Sequence, residues 1–126
     1  MMAKLTKEDQ AARVEQMPDF EGRYTESDGY TIGFERFDAD VDFKPYFRGL
    51  PDDKCQSSHW GYVIRGRLVY HFADRDEVIE TGEAYYVGPG HTPEVTAGTE
   101  IVEFSPTEEL ARTMAVVTRN FESDTT

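Results

Sequence analysis

The sequence predicts an all-β domain of sandwich or barrel type, and three observations carry that expectation. From Gly22 to Phe104 the chain runs in short segments rich in Tyr, Phe, Val, Ile and Thr, residues that suit a pleated, half-buried surface. Turn-forming clusters separate them, among them Ser27-Asp28-Gly29, Gly49-Leu50-Pro51-Asp52-Asp53, Gly88-Pro89-Gly90 and Ala97-Gly98-Thr99. No helical segment lies between these stretches, which disfavours a parallel sheet built from βαβ units. Strands are expected at 22–27, 30–37, 43–47, 57–65, 67–73, 77–80, 83–87, 93–96 and 100–104, more than one ordinary flat sheet holds.

Helices are expected at both flanks. Residues 6–17 suit a helix opened by Thr6, whose hydroxyl can accept from the free amide of Asp9, and stopped by Pro18. Its stripe of Leu5, Ala12, Val14 and Met17 is weak, as befits an appendage that packs loosely or against a partner. After the strands, Ser105 is placed to cap a second helix, with Pro106 at its first position and Glu108 reaching back to the cap. Leu110, Met114, Val117 and Phe121 then form one apolar stripe, suited to covering a sheet or an open barrel mouth. The tail from Glu122 is expected to fray. The chain thus divides into a helical appendage (1–21), a β-domain (22–105) and a C-terminal helix with its tail (106–126), all within a single domain.

Length and charge bound the function. A chain of 126 residues suits one core and excludes two full domains. With 25 acidic against 13 basic residues, the formal charge of −12 offers no footprint for nucleic acid or for an anionic membrane. No apolar run approaches a membrane span, and the polar start is unlike a secretory signal, so a cytoplasmic protein is expected. The single cysteine, Cys55, cannot form an internal disulfide, which fits a reducing compartment.

Cys55, His59, His71 and His91 are the only residues with thiol or imidazole ligand atoms, and all lie between positions 55 and 91. Cys55 and His59 are four apart, so an extended chain directs both to one side of a sheet. His91 follows the Gly88-Pro89-Gly90 turn, near a strand end, where barrel mouths commonly hold ligands. A thiolate and two imidazoles form a reasonable set for zinc, and also for iron or copper, with water or a carboxylate in a fourth position. Two readings stand side by side: Cys55, His59 and His91 share one metal, or each is a buried or turn-stabilising residue of the framework. His71, between Tyr70 and Phe72, suits a structural role. In a fully extended strand Cys55 and His59 would lie roughly 13 Å apart, too far for direct proton transfer, and shared ligation requires a bend at Ser57-Ser58. The acidic residues are too numerous for an acid–base pair to be singled out.

The stretch from Asp53 to Gly66 resembles the first motif of the cupins, in which His-x-His and then a Glu precede a Gly. Counted back from Gly66, His59 falls at the Glu position, Cys55 at the second His and Asp53 at the first. The stretch from Gly82 to Pro93 is similar to the second motif, with Pro93 where the family has its His and His91 two residues earlier. Over roughly 30–105 the resemblance implies a jelly-roll barrel with short terminal helices. Three of the four usual ligands are replaced and the fourth is displaced, so a His3Glu iron or manganese site is not implied. A thiolate in place of an imidazole shifts the preference toward zinc or copper. If His59 points inward, Gly61 and Val63 do too, with Gly61 leaving room for a ligand. Trp60, Tyr62 and Ile64 then face outward and require cover from the terminal helices or a second subunit. Cupins of this size are commonly dimers.

Three functions from different classes follow. The first is a metal-dependent enzyme acting on a small molecule, an isomerase, cyclase, lyase or oxygenase, with a divalent ion on Cys55, His59 and His91. The second is a non-catalytic sensor or binding protein whose barrel takes a small ligand without metal, and the third a structural or storage role.

Overall fold

A computed structural model of the chain describes residues 3–9 and 12–124. Among the described residues ten strands form two antiparallel sheets that face each other as a jelly roll. The strands are β1 (Arg13–Met17), β2 (Phe20–Ser27), β3 (Tyr30–Phe37), β4 (Val41–Asp42), β5 (His59–Arg65), β6 (Arg67–His71), β7 (Asp76–Glu80), β8 (Ala84–Val87), β9 (Thr92–Val95) and β10 (Glu100–Pro106), followed by the helix α1 (Thr107–Asp124). One sheet has the order β1-β2-β3-β10-β5-β8 and the other β4-β9-β6-β7. Among the described residues no helix is long and apolar enough to cross a membrane.

Alternation sorts the side chains. Phe20 and Tyr24 on β2, Thr31 and Phe37 on β3, Val63 on β5, Leu68 and Tyr70 on β6, and Ile101 on β10 are all buried between the sheets. Gly66 carries the β5–β6 turn at φ +97°, and a Cβ there would come within 2.6 Å of the Thr99 Cα, so only glycine fits.

Three expectations need correction. Residues 13–17, expected at the end of a helix, form β1 and pair with β2 from Arg13↔Tyr24 to Met17↔Phe20; residues 10 and 11 of that expected helix lie outside the described residues. The short turn at Pro18-Asp19, with Asp19 at φ 62°, folds the segment back, and edge pairing outweighs helix propensity. Residues 44–47, expected as a strand, form a 3-10 turn started by Pro45, with Phe43 and Phe47 buried beneath α1. Finally, β10 runs through Ser105 to Pro106, so Ser105 is not the helix cap and its hydroxyl is used elsewhere.

The stripe on α1 docks as expected. Val117 is 3% exposed, and Leu110, Thr113, Met114 and Val117 line a cavity between the helix and the barrel. Phe121 stacks on Tyr46 at 3.8 Å between ring centroids. Because that ring is only half-buried, Phe121→Ala should lower stability by about 1–2 kcal/mol, less than a fully buried ring would cost. Urea unfolding measures it, and an unchanged midpoint would mean that α1 does not hold the barrel in this way.

Candidate metal centre

The three residues converge because the chain bends where a bend was required. Cys55 forms an isolated antiparallel bridge with His91, its amide donating to the His91 carbonyl at 2.8 Å. After Cys55 the chain curls around the sulfur, the Ser57 amide donating to Sγ at 3.4 Å, and regular strand resumes only at His59. Sγ consequently lies 3.6 Å from Nε2 of His59, not the roughly 13 Å of an extended segment. One ligand atom from each of Cys55, His59 and His91 lies within 4.8 Å of the others, and all three residues are buried.

The outer nitrogens fix the rings. Nδ1 of His91 lies 2.6 Å from the Gly88 carbonyl, which only accepts, so Nδ1 carries the proton and Nε2 is left as the ligand atom. Nδ1 of His59 lies 3.0 Å from the Glu103 carboxylate and 2.7 Å from the Ser105 hydroxyl, turning Nε2 toward the sulfur. From α1, Thr113 brings its hydroxyl to 3.5 Å from Sγ. Bonds of about 2.3 Å to sulfur and 2.0–2.1 Å to nitrogen at a tetrahedral angle separate the two atoms by about 3.6 Å, the spacing of the Cys55–His59 pair, whereas the full set spans up to 4.8 Å and would draw in slightly around an ion.

The electrostatics agree with a paired thiolate and imidazolium. Burial pushes the Cys55 thiol up, but hydrogen bonds and charge from His59 and His91 outweigh it and bring the value down to about 6. Burial alone would lower His59, yet the Glu103 charge and the bond to Cys55 hold it well above its ordinary value. Glu103, against its own burial, is kept ionised by His59. Glu35 differs: burial and the neighbouring Glu103 charge raise it to about 7, and its Oε2 accepts from the Tyr24 hydroxyl at 2.7 Å. Chemically, the cluster can hold an ion, or it can present Cys55, His59 and Glu103 as a line of thiol, base and orienting acid.

Asp53 does not join the site. It is exposed, and its carboxylate accepts from the Gly49 amide. The room expected at Gly61 is filled by the Tyr85 ring, whose Oη and Cζ would lie 2.4 Å from a Cβ there. The cavity, about 90 Å³, lies instead beneath α1, and Cys55, His59, His91, Glu35 and Glu103 all line it. Glu35, Glu103 and Thr113 were not singled out by the sequence reading, and Ser105 was read only as a helix cap. For the two carboxylates a signal existed: Glu103 shares strand parity with Ile101, and Glu35 with Phe37, so both face inward.

No family model matches the chain, and no curated protein does. Solved structures do resemble it. An RmlC-like cupin from Shewanella frigidimarina NCIMB 400 aligns with a TM-score of 0.55 and 16% identity, over 82% of this chain and 92% of that one. KdgF from Halomonas sp. aligns at 0.53 and 15%, over 75% and 86%. Apo-HppE aligns at 0.54 and 12%, over 81% and 57%. At such identities the likeness is one of fold.

His71 stands apart from the centre. Its Nδ1 lies 2.6 Å from Asp76 and its Nε2 2.7 Å from Glu94, an imidazolium clamp across β7, β6 and β9 at a partly exposed position. The hydrogen bonds to Asp76 and then Glu94 raise its pKa above the ordinary value. A raised folded value stabilises the fold fully below the unfolded value near 6.5, and that contribution is lost as pH rises through the folded one. The stability difference between wild type and His71→Ala should therefore be greatest near pH 6 and shrink as pH rises through the raised folded value, on the scale of exposed ion pairs, about 0.2–1 kcal/mol. Urea titrations at both ends measure it, and a difference that grows with pH would contradict the clamp.

Proposed function

We propose that this chain, which has the cupin fold, holds one divalent metal on Cys55, His59 and His91 and takes a small molecule in the cavity beside them. The observation that carries the reading is the convergence of three buried ligand atoms within 4.8 Å. Zinc is the ion that a thiolate and two imidazoles favour, ahead of iron or copper. Once bound, the ion would supply Lewis-acid chemistry of the kind that isomerases, cyclases, lyases and oxygenases use.

The chain's own residues have defined parts. Glu103 and Ser105 hold Nδ1 of His59, and the Gly88 carbonyl holds that of His91, so neither ring needs to reorient to offer Nε2. The Ser57 amide and Thr113 hydroxyl stabilise negative charge on the sulfur. Glu35, bonded to Tyr24, faces the same cavity and can hold or release a proton near neutral pH.

Metal content decides between this reading and a metal-free binding protein. Untagged protein should carry close to one equivalent of metal, and Cys55→Ser and His91→Ala should each lose most of it while keeping the barrel, because these two are only a small part of a core carried mainly by residues such as Phe37, Val63, Leu68 and Ile101. Elemental analysis with far-UV circular dichroism checks both. Wild-type stoichiometry in both variants would place the ion at other residues, and metal-free wild type would favour the binding role.

The partner we propose is a second copy of the chain. On the outer face of the larger sheet the strand register sets Tyr86, Trp60, Phe104 and Ile32 in one row and Ala84, Tyr62, Val102 and Phe34 in the next. Trp60 is 44% exposed and Tyr86 58%, and α1 lies on the opposite side of the sheet, over the cavity. From β8 to β3 neither row contains a charge, the second meeting its first one only at Arg23 of β2, so two chains of −12 meet over these strands without acidic groups opposed. Light scattering at micromolar concentration should give twice the 14.4 kDa chain mass, and Tyr62→Glu should shift it to one chain by burying an unpaired charge. A wild-type mass of one chain would sink the dimer.

A further inference from the structure

The cavity beneath α1 restricts what the site can take, by size and by charge. Its volume is about 90 Å³, smaller than an apolar cavity of roughly 150 Å³ that admits benzene. A ligand of about three to five non-hydrogen atoms is what such a space holds. Most of the wall is apolar, with Phe20, Phe37, Leu68, Val95, Met114 and Val117 facing the space, and the polar groups Cys55, His59, His91, Thr113 and Glu103 form one connected cluster in it. No lysine or arginine lines the cavity among the described residues, whereas two carboxylates, Glu35 and Glu103, do. A divalent ion bound to the thiolate would be offset by these groups, so even the loaded site offers no surplus positive charge. A carboxylate or phosphate entering it would give up its water for neighbours of its own sign, which is among the costliest of burials.

We propose that the ligand of this cavity is a small uncharged molecule, apolar along most of its length and carrying one neutral polar group, a carbonyl, amide or hydroxyl, at the Cys55–His59–His91 cluster. Sugars are too large and too polar for this wall, and a carboxylate or phosphate would meet no lysine or arginine there, while Glu35 and Glu103 stand beside the one place an ion would sit. The proposal rests on the reading that the cavity takes a small molecule, and it holds with or without the metal.

An isosteric pair separates charge from shape. Propionamide and propionate have the same number of non-hydrogen atoms and differ in charge. Amide NMR spectra of the full chain should be recorded with each, on metal-loaded protein, on chelator-treated protein and on Cys55→Ser. Propionamide should give saturable shifts centred on Cys55, Ile101 and Val117, with a dissociation constant in the millimolar range or tighter, and propionate should bind at least tenfold more weakly. Equal or tighter propionate binding overturns the proposal, as does the absence of saturable shifts at these residues with propionamide. Propionamide binding by Cys55→Ser that has kept its metal would leave this proposal standing and remove the ligand assignment, so the two fail separately.

Discussion

A buried carboxylate organises this barrel. Glu103 projects between the sheets from the centre of β10, where an unpaired charge would be expensive, and His59 across the β10–β5 pair answers it at 3.0 Å. Once Nδ1 of His59 is committed to that bond, Nε2 has a single direction left, toward Cys55. The aromatic hydroxyls around the pair follow from the same requirement: Tyr70 donates to Glu103 at 3.4 Å and Tyr24 to the neighbouring Glu35. Room for these rings comes from glycines, with Tyr24 lying over Gly22 and Gly33 and Tyr85 over Gly61, at distances that no Cβ would permit. An acid that looks like a liability in an all-β core is thereby the reason for the tyrosines, the glycines and the orientation of the imidazole.

The legible part of the molecule was the part whose local pattern agrees with its environment. Strands from Tyr30 to Phe37 and from His59 to Phe104 alternate and are bounded by Gly, Asp and Pro, and most of them stand within a residue or two of where the pattern puts them. The N-terminal strand was hidden because Arg13-Val14-Glu15-Gln16-Met17 carries good helix formers, and only the pairing with β2 makes it extended. At the site, the two halves of Cys55–His59 and His91 were visible as residue types, but their approach depends on a backbone bend around Sγ and on a bridge between segments 36 residues apart, neither of which has a local signature. Glu35 and Glu103 were lost among 25 acids, although strand parity alone separates them from the solvated majority.

One strand serves both faces of the larger sheet. Through His59 β5 supplies the inner site and through Gly61 and Val63 it faces the core, while through Trp60 and Tyr62 it presents the outer aromatic rows. Trp60 lies 5.0 Å from the Tyr86 ring and 6.4 Å from the Tyr30 ring, an ordered cluster on a face that the fold itself leaves open. The period of two keeps the roles apart, since a register slip of one residue would exchange the buried imidazole for an indole.

The centre is also not a property of the barrel alone. Thr113 of α1 reaches the Cys55 sulfur, and Glu109 of the same helix accepts from the Ser58 amide, in the bent segment that delivers His59. Four helix residues, Leu110, Thr113, Met114 and Val117, close one side of the cavity. Whatever binds there therefore binds the docked arrangement, and by mass action it stabilises helix and site together. The reverse follows from the same linkage: undocking α1 exposes an apolar wall, removes a hydrogen bond from the thiolate and frees the Ser57-Ser58 bend at once. A ligand of the proposed kind would make its capture and helix docking a single equilibrium, through the contacts between α1 and one turn of chain.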